Sequence, residues 1–266
     1  MVMKGIILEM CEIFGVSLRE RITINSMLKS FYSHSNEHRN GWGLALLDRR
    51  PVSIDKEPVK ALDSEYLKEK LKSEIRTKKC ISHIRMATIG GMNEDNTHPF
   101  TRYDYSGRRW VFAHNGTIFE SKELTPYQYV QKGTTDSERI FLYLIDIMDR
   151  HFEEKKEPLT PRERMDLIDE IILTLAPGNK LNLMIEDGEY FYIHKNEENT
   201  LSYLELDEGY VFSTKPLTDY GWKDVPMNQL MVYKDGELVY KGTKHNGTYV
   251  MDEEEMKLLF MAYAEL

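Results

Sequence analysis

From residue 180 onward the chain breaks into six short runs, "LNLMIED", "EYFYIHK", "LSYLELD", "YVFSTK", "QLMVYKD" and "ELVYKG", punctuated by turns at Asp187-Gly188 and Asp235-Gly236. Runs of this length, rich in aromatic and β-branched residues and separated by Asp-Gly, pair as antiparallel strands. A sheet with an apolar face must bury it against a second layer, and the upstream sequence supplies the material for one. Residues 11 to 18 read as a strand, and "RERITINSMLKSFYSHS" carries Ile22, Ile24, Met27, Leu28, Phe31 and Tyr32 near helical spacing. "GWGLALLD" at 41 to 48 reads as a strand, "DSEYLKEKLKSEIRTK" as an amphipathic helix capped by Asp63, and "KCISHIRMA" as a short strand. "RRWVFAHNG" is a strand ending in a turn. Two consecutive helices follow: "TDSERIFLYLIDIMDRHF" with Thr135 or Asp136 at its cap, and "TPRERMDLIDEIILTLA" with Thr160 as cap and Pro161 in the first helical position. A last helix, "DEEEMKLLFMAYAEL", opens on acidic residues that suit a helix N-terminus. Strands at both ends, helices between them and no Pro/Gly-rich linker predict one α+β domain. The charged stretch 151 to 163 is its weakest part and can also be read as a surface insertion.

Charge and cysteine content narrow the function. A net charge of -9 offers no basic face to nucleic acid and no polybasic strip to an anionic membrane. No apolar run approaches the ~20 residues of a membrane span, and "MVMKGIILEM" is too short in its apolar part, and lacks the small-residue cleavage site, for a secretory signal. The expected location is the cytoplasm. The two cysteines, Cys11 and Cys80, cannot make a disulfide framework or a Cys-based zinc site and read as free thiols. Cys80 lies in an apolar-flanked strand, as a buried structural thiol does. His34 and His38 are spaced as a metal pair on a helix would be, but no Glu or Cys is seen to complete a site, so no metal is expected. His83, His98 and His114 read as core or hydrogen-bonding histidines.

Three polar clusters need a further reason. In "CISHIRMATIGGMNEDNTHPF", residues 80 to 100, a strand bearing His83 and Arg85 runs into Gly90-Gly91, which lets backbone approach a ligand closely. "FAHNGTI" is by itself a tight turn, and "TTDSER" by itself a helix cap. Taken in order with "MCEIFGVS" and "HRNGWGLA", these pieces resemble the class II glutamine amidotransferase domain, an N-terminal-nucleophile (Ntn) hydrolase, and most of all its stand-alone branch. "VFSTKPLTDYGW" resembles that branch too.

The resemblance implies a four-layer αββα sandwich, two antiparallel sheets face to face with helices outside. It implies that the mature chain begins at Cys11, whose sulfur attacks the glutamine side-chain amide while its own α-amine acts as base. The chemistry is reasonable, because an α-amine has a pKa of ~7.7–8.0 against ~10.4 for a lysine. Asn115 and Gly116 are implied as oxyanion donors. Arg85 would clamp the substrate carboxylate and Asp136 would meet its ammonium. Thr88 and His98 would line the glutamine pocket, and Arg39 and Trp42 would shape the wall beside the nucleophile. No cofactor is implied. Two departures stand out: "HRNGWG" is shorter than the family's "HRGPDGWG", and Ile89-Gly90 replaces the His-Gly of synthase-linked members, so their coupling to an acceptor does not carry over.

Glutamine is then the expected donor, with ammonia passed to a synthase partner or other acceptor, and a homodimer is compatible with the chain. Hydrolysis of a γ-glutamyl peptide or metabolite conjugate is the alternative. A non-catalytic glutamine-binding module is a second alternative, for a retained leader buries the amine in a peptide bond. Residues 1-10 are expected to be a cleaved propeptide or the product of a misassigned start, with initiation at Met10 favoured, and residues 11-266 to form the amidotransferase domain.

Overall fold

In the computed structural model, residues 11–86 and 91–251 are described. Residues 1–10, Thr88 and the C-terminal helix expected from 252 lie outside the described residues.

The first strand, β1 (Glu12–Thr23), outruns the expected 11–18. Its β-branched end, Ile22 and Thr23, pairs with Thr77 and Arg76 beyond a bulge that follows Ser17. The following helix therefore starts late, as α1 (Asn25–Ser33). Asn25 also explains why the helix expected over 63–78 shrinks to α2 (Glu65–Lys70). Its side-chain amide donates to the carbonyls of Leu71 and Ser73, at 3.1 and 2.8 Å, and accepts from the Ile75 N–H at 2.7 Å. Those bonds end the helix and free Arg76 onward for strand, so a tertiary contact overrides local helical pattern. The cap of α2 is Ser64, whose Oγ accepts from Leu67 N at 2.9 Å, and Asp63 closes a short 3-10 turn instead.

The remaining elements are β2 (Trp42–Leu46), β3 (Ser53–Glu57), β4 (Arg76–Ile84), β5 (Phe100–Tyr103), β6 (Arg109–Thr117), α3 (Asp136–Lys155), α4 (Pro161–Leu175), β7 (Lys180–Glu186), β8 (Phe191–His194), β9 (Ser202–Leu206), β10 (Gly209–Ser213), β11 (Trp222–Asp224), β12 (Met231–Lys234) and β13 (Glu237–Lys241). Strands β3, β5 and β11 carry no strong apolar alternation and were not expected. Thr135 is the cap of α3 and Thr160 that of α4, the latter in a reciprocal capping box with Glu163. Asn115-Gly116 does not form a turn. Strand β6 runs through it, pairing Asn115 with Asn182 and Gly116 with Leu181.

The strands form two antiparallel sheets, ordered β11-β9-β10-β1-β4-β2-β3 and β13-β12-β8-β7-β6-β5. Side-chain alternation along β1 sorts the core into layers. Phe14 and Val16 face α1 and α2, packing with Leu28, Phe31, Trp42 and Leu67. Ile13 faces the other sheet, among Ile81, Val111, Ala113, Met184 and Phe191. On the far side of the second sheet, Phe112, Leu183 and Tyr192 pack beneath α3 and α4. The result is the expected four-layer α+β sandwich, αββα. Gly15 allows the sheets to close: a Cβ there would stand 2.8 Å from the Phe191 ring and 2.9 Å from Met184 Sδ. Among the described residues no helix is long and apolar enough to cross a membrane.

Candidate active site

Cys11 stands at the mouth of β1, on the Ile13 side of the strand, which faces the second sheet. Its Sγ donates to the Met86 carbonyl at 3.2 Å. Burial pushes the thiol pKa above its ordinary value, whereas Arg85, the Met86 bond and Lys180 pull it down and Asp136 adds to the rise. Three charged side chains thus lie within electrostatic reach of one sulfur.

Arg85 directly follows β4 and is buried. Its backbone is held by Gly41 O at 2.8 Å and Asn40 N at 3.0 Å, and its Nη1 donates to Gly91 O at 2.9 Å. The same carbonyl accepts from Asn96 Nδ2 at 2.9 Å, and Asn96 Oδ1 accepts from Thr134 N at 2.7 Å. Asn96 therefore ties the Arg85 loop to the residue before the α3 cap. Asp136 opens α3. Its Oδ2 accepts from Ile118 N at 2.7 Å and its Oδ1 from Ser137 N at 2.9 Å, which fixes the carboxylate at the end of β6.

Asn115 projects from β6, nearly fully buried. Its Nδ2 makes only a 3.3 Å contact with Thr214 Oγ1, and its Oδ1 is buried without a hydrogen-bond partner among the described residues. A side-chain amide so lightly committed is ready to donate to a new acceptor. At Gly116 a Cβ would stand 2.1 Å from Lys180 O and 2.3 Å from His114 Nε2, so no side chain fits.

The histidines form a buried spine beside this cluster. The rings of His83 and His98 lie 4.3 Å apart, and His98 also meets Phe100 at 4.5 Å. Burial holds both well below the usual imidazole range, Arg85 pushing the same way, so both are neutral at neutral pH. His114 is lowered by burial and held up by Asp136. Its Nε2 faces Lys180 O at 3.1 Å, which makes that nitrogen the protonated one, and its Nδ1 meets Ser137 Oγ at 3.0 Å. Gly43 of "GWG" makes room for His98, whose carbonyl would lie 2.0 Å from a Cβ there.

Of the two expected wall residues, Trp42 is turned away from the nucleophile. Arg39 is exposed. Trp42 faces the helix layer, with its Nε1 on Glu57 Oε2 at 3.1 Å and its ring stacked on Tyr66. Cys80 is fully buried and its pKa is raised by that burial. His34 and His38 turn toward a partner that the sequence did not suggest, Glu12, at 2.8 and 3.9 Å. Among the described residues no three His, Cys, Asp or Glu side chains are grouped to hold a metal ion.

Residues that sequence reasoning missed are Glu12, Asn96, Lys180 and Thr214. Lys180 is buried and ion-paired with Glu197 at 2.5 Å. Nothing in "GNKLNL" marks it, whereas Asn96 and Thr214 sit inside stretches whose likeness to the family was visible. Beside Asp136 opens a cleft of ≈ 540 Å³ lined by Phe119, Ser121, Gln128 and Arg139.

The model of the family described as class-II glutamine amidotransferases matches residues 10–206. An uncharacterized protein of Methanocaldococcus jannaschii is 31% identical over 281 aligned residues, 94% of this chain and 75% of that protein. Gamma-glutamyl-hercynylcysteine sulfoxide hydrolase of Mycolicibacterium smegmatis is 24% identical over 211, covering 77% of this chain and 82% of its own length. The structure of glutamine phosphoribosylpyrophosphate amidotransferase from B. subtilis superposes with a TM-score of 0.63 at 16% identity, over 88% of this chain and 49% of that one, a likeness of fold.

Proposed function

The chain belongs to the class II glutamine amidotransferases, an enzyme family, and from that membership we propose that it hydrolyses a γ-glutamyl amide through a thioester on Cys11. The observation that carries the reading is convergence: the Cys11 sulfur bonds the carbonyl of Met86, next to Arg85, within electrostatic reach of Arg85, Lys180 and Asp136. Thr214, meanwhile, binds Ile13, two residues along, and reaches Asn115.

In the proposed reaction the free α-amine of Cys11 takes the thiol proton and the sulfur attacks the side-chain amide carbon. The oxyanion accepts from Asn115 Nδ2 and the Gly116 N–H; one such donor is typically worth ~2.7 to 4 kcal/mol of barrier. Collapse breaks the C–N bond, the departing amine receives the proton, and water then cleaves the thioester to release glutamate. Arg85 binds the α-carboxylate and Asp136 the α-ammonium. His98, packed against His83, and Thr88 complete the pocket. Residues 11–266 act as one domain in the cytoplasm, and activity requires residues 1–10 to be absent.

Glutamine is the first donor proposed, with ammonia taken up by a partner synthase. A γ-glutamyl conjugate of a larger amine is the second, favoured by the hydrolase relative named above. Supplying glutamine and γ-glutamyl amides of bulkier amines in parallel separates the two. Glutamate released from free glutamine supports the first; release only from conjugates sinks it. Binding of glutamine without release of glutamate from any donor leaves a binding module.

A further inference from the structure

The antiparallel register of β1 and β10 pairs Phe14 with Ser213. Carried two residues past the end of β10, it sets Thr214 across from Ile13 and Lys215 across from Glu12. Both positions bond. Ile13 N donates to Thr214 Oγ1 at 2.9 Å, and Thr214 N donates back to Ile13 O at 3.0 Å. A side-chain hydroxyl thus takes the place of a ladder carbonyl. Lys215 Nζ lies 3.0 Å from Glu12 Oε1, while His34 Nδ1 holds the other carboxylate oxygen at 2.8 Å. Glu12 is buried, so the residue following Cys11 is gripped from β10 on one side and from α1 on the other.

The Thr214 hydroxyl has two more contacts. Asn115 Nδ2 reaches it at 3.3 Å, and Thr214 Oγ1 faces Ile13 O at 3.4 Å. A hydroxyl has two acceptor sites and one donor, and here all three are engaged. Its partners belong to both sheets: the β1 backbone beside the nucleophile, and the amide proposed to stabilise the oxyanion.

We infer that Thr214 is a positioning residue that sets the distance between the Cys11 strand and the Asn115 amide, with Lys215 and Glu12 holding β1 in the register this needs. The inference rests on the roles proposed for Cys11 and Asn115. Errors of ~1 Å in such an arrangement cost rate far more than binding, because the oxyanion exists only after attack.

The experiment is a double-mutant cycle on the full protein, reading kcat and KM for the better of the two donors and the melting temperature. Thr214→Val lowers kcat about tenfold or more with KM little changed, Thr214→Ser restores it, and adding Thr214→Val to Asn115→Ala costs less than about twofold further. Thr214→Ala replaces Thr214→Val where the valine variant does not fold. Wild-type kcat in a folded Thr214→Val or Thr214→Ala variant, or losses that multiply in the double variant, overturn the inference and leave the proposed chemistry standing. Wild-type turnover in Asn115→Ala overturns both.

Discussion

The Cys11 thiol donates to the Met86 carbonyl at 3.2 Å, a bond that only the protonated sulfur can make. Burial favours that form, since it raises the pKa above the ordinary thiol value despite Arg85 and Lys180 nearby. The resting site therefore holds a thiol, and attack needs a base.

Alkylation of Cys11 by iodoacetamide should accordingly climb by about tenfold per pH unit from pH 6 to 8, with no plateau, as the thiolate fraction grows. Cys80, with no exposed surface, should stay unmodified while the protein is folded. Peptide mass mapping reads both rates, and a plateau for Cys11 below pH 7 would show a stabilised thiolate instead.

Arg85→Lys keeps the charge and loses the two-pronged geometry that suits a carboxylate. KM for the donor should rise about 10- to 100-fold, with kcat nearly kept. Equal loss in kcat at unchanged KM would remove the arginine from ground-state binding.

Gly116→Ala places a methyl 2.1 Å from Lys180 O, which is backbone and cannot swing aside. A melting temperature lowered by several degrees, with turnover lost, is the expected outcome, in line with the usual ~1–3 kcal/mol of forced overpacking. An unaltered melting curve would show that β6 and β7 have room to part.

Glu12 adds a pH dependence of its own. Burial alone would raise its pKa, but the His34 hydrogen bond, the charges of His34 and His38, and Lys215 outweigh it and leave it below the usual carboxylate value. A depressed carboxylate stabilises the fold above its unfolded pKa of about 4.5 and loses that contribution as pH falls through the folded value. Glu12→Gln should therefore melt below wild type at pH 6 to 7 and approach it as pH falls below about 4. A gap that widens on acidification would contradict the assignment.

Much of this architecture was legible before any coordinates. The Asp-Gly turns announced the C-terminal strands, and Thr160-Pro161 fixed the start of α4 from purely local chemistry. What stayed hidden depended on distant partners. The Asn25 amide ends α2 from 46 to 48 residues away, and pairing with β7 keeps Asn115-Gly116 extended where local preference favours a turn. The candidates Cys11, Arg85 and Asp136 were read from motifs and lie together, because motif stretches end the strands that meet at one edge of the sandwich. Trp42 was read from a motif as well, yet strand alternation turns it to the helix layer. Lys180 gave no such signal, while Glu12 and Thr214, although inside motif stretches, take their importance from cross-strand register, which no motif shows.

The central claim is that Cys11 works as an N-terminal nucleophile with its own α-amine as base. Intact mass of the purified native protein, taken on the same sample as a donor-hydrolysis assay, tests it most directly. The account predicts that active protein begins at Cys11 and that Cys11→Ala releases no glutamate. Full activity in protein whose mass retains Met1 through Met10 would contradict it.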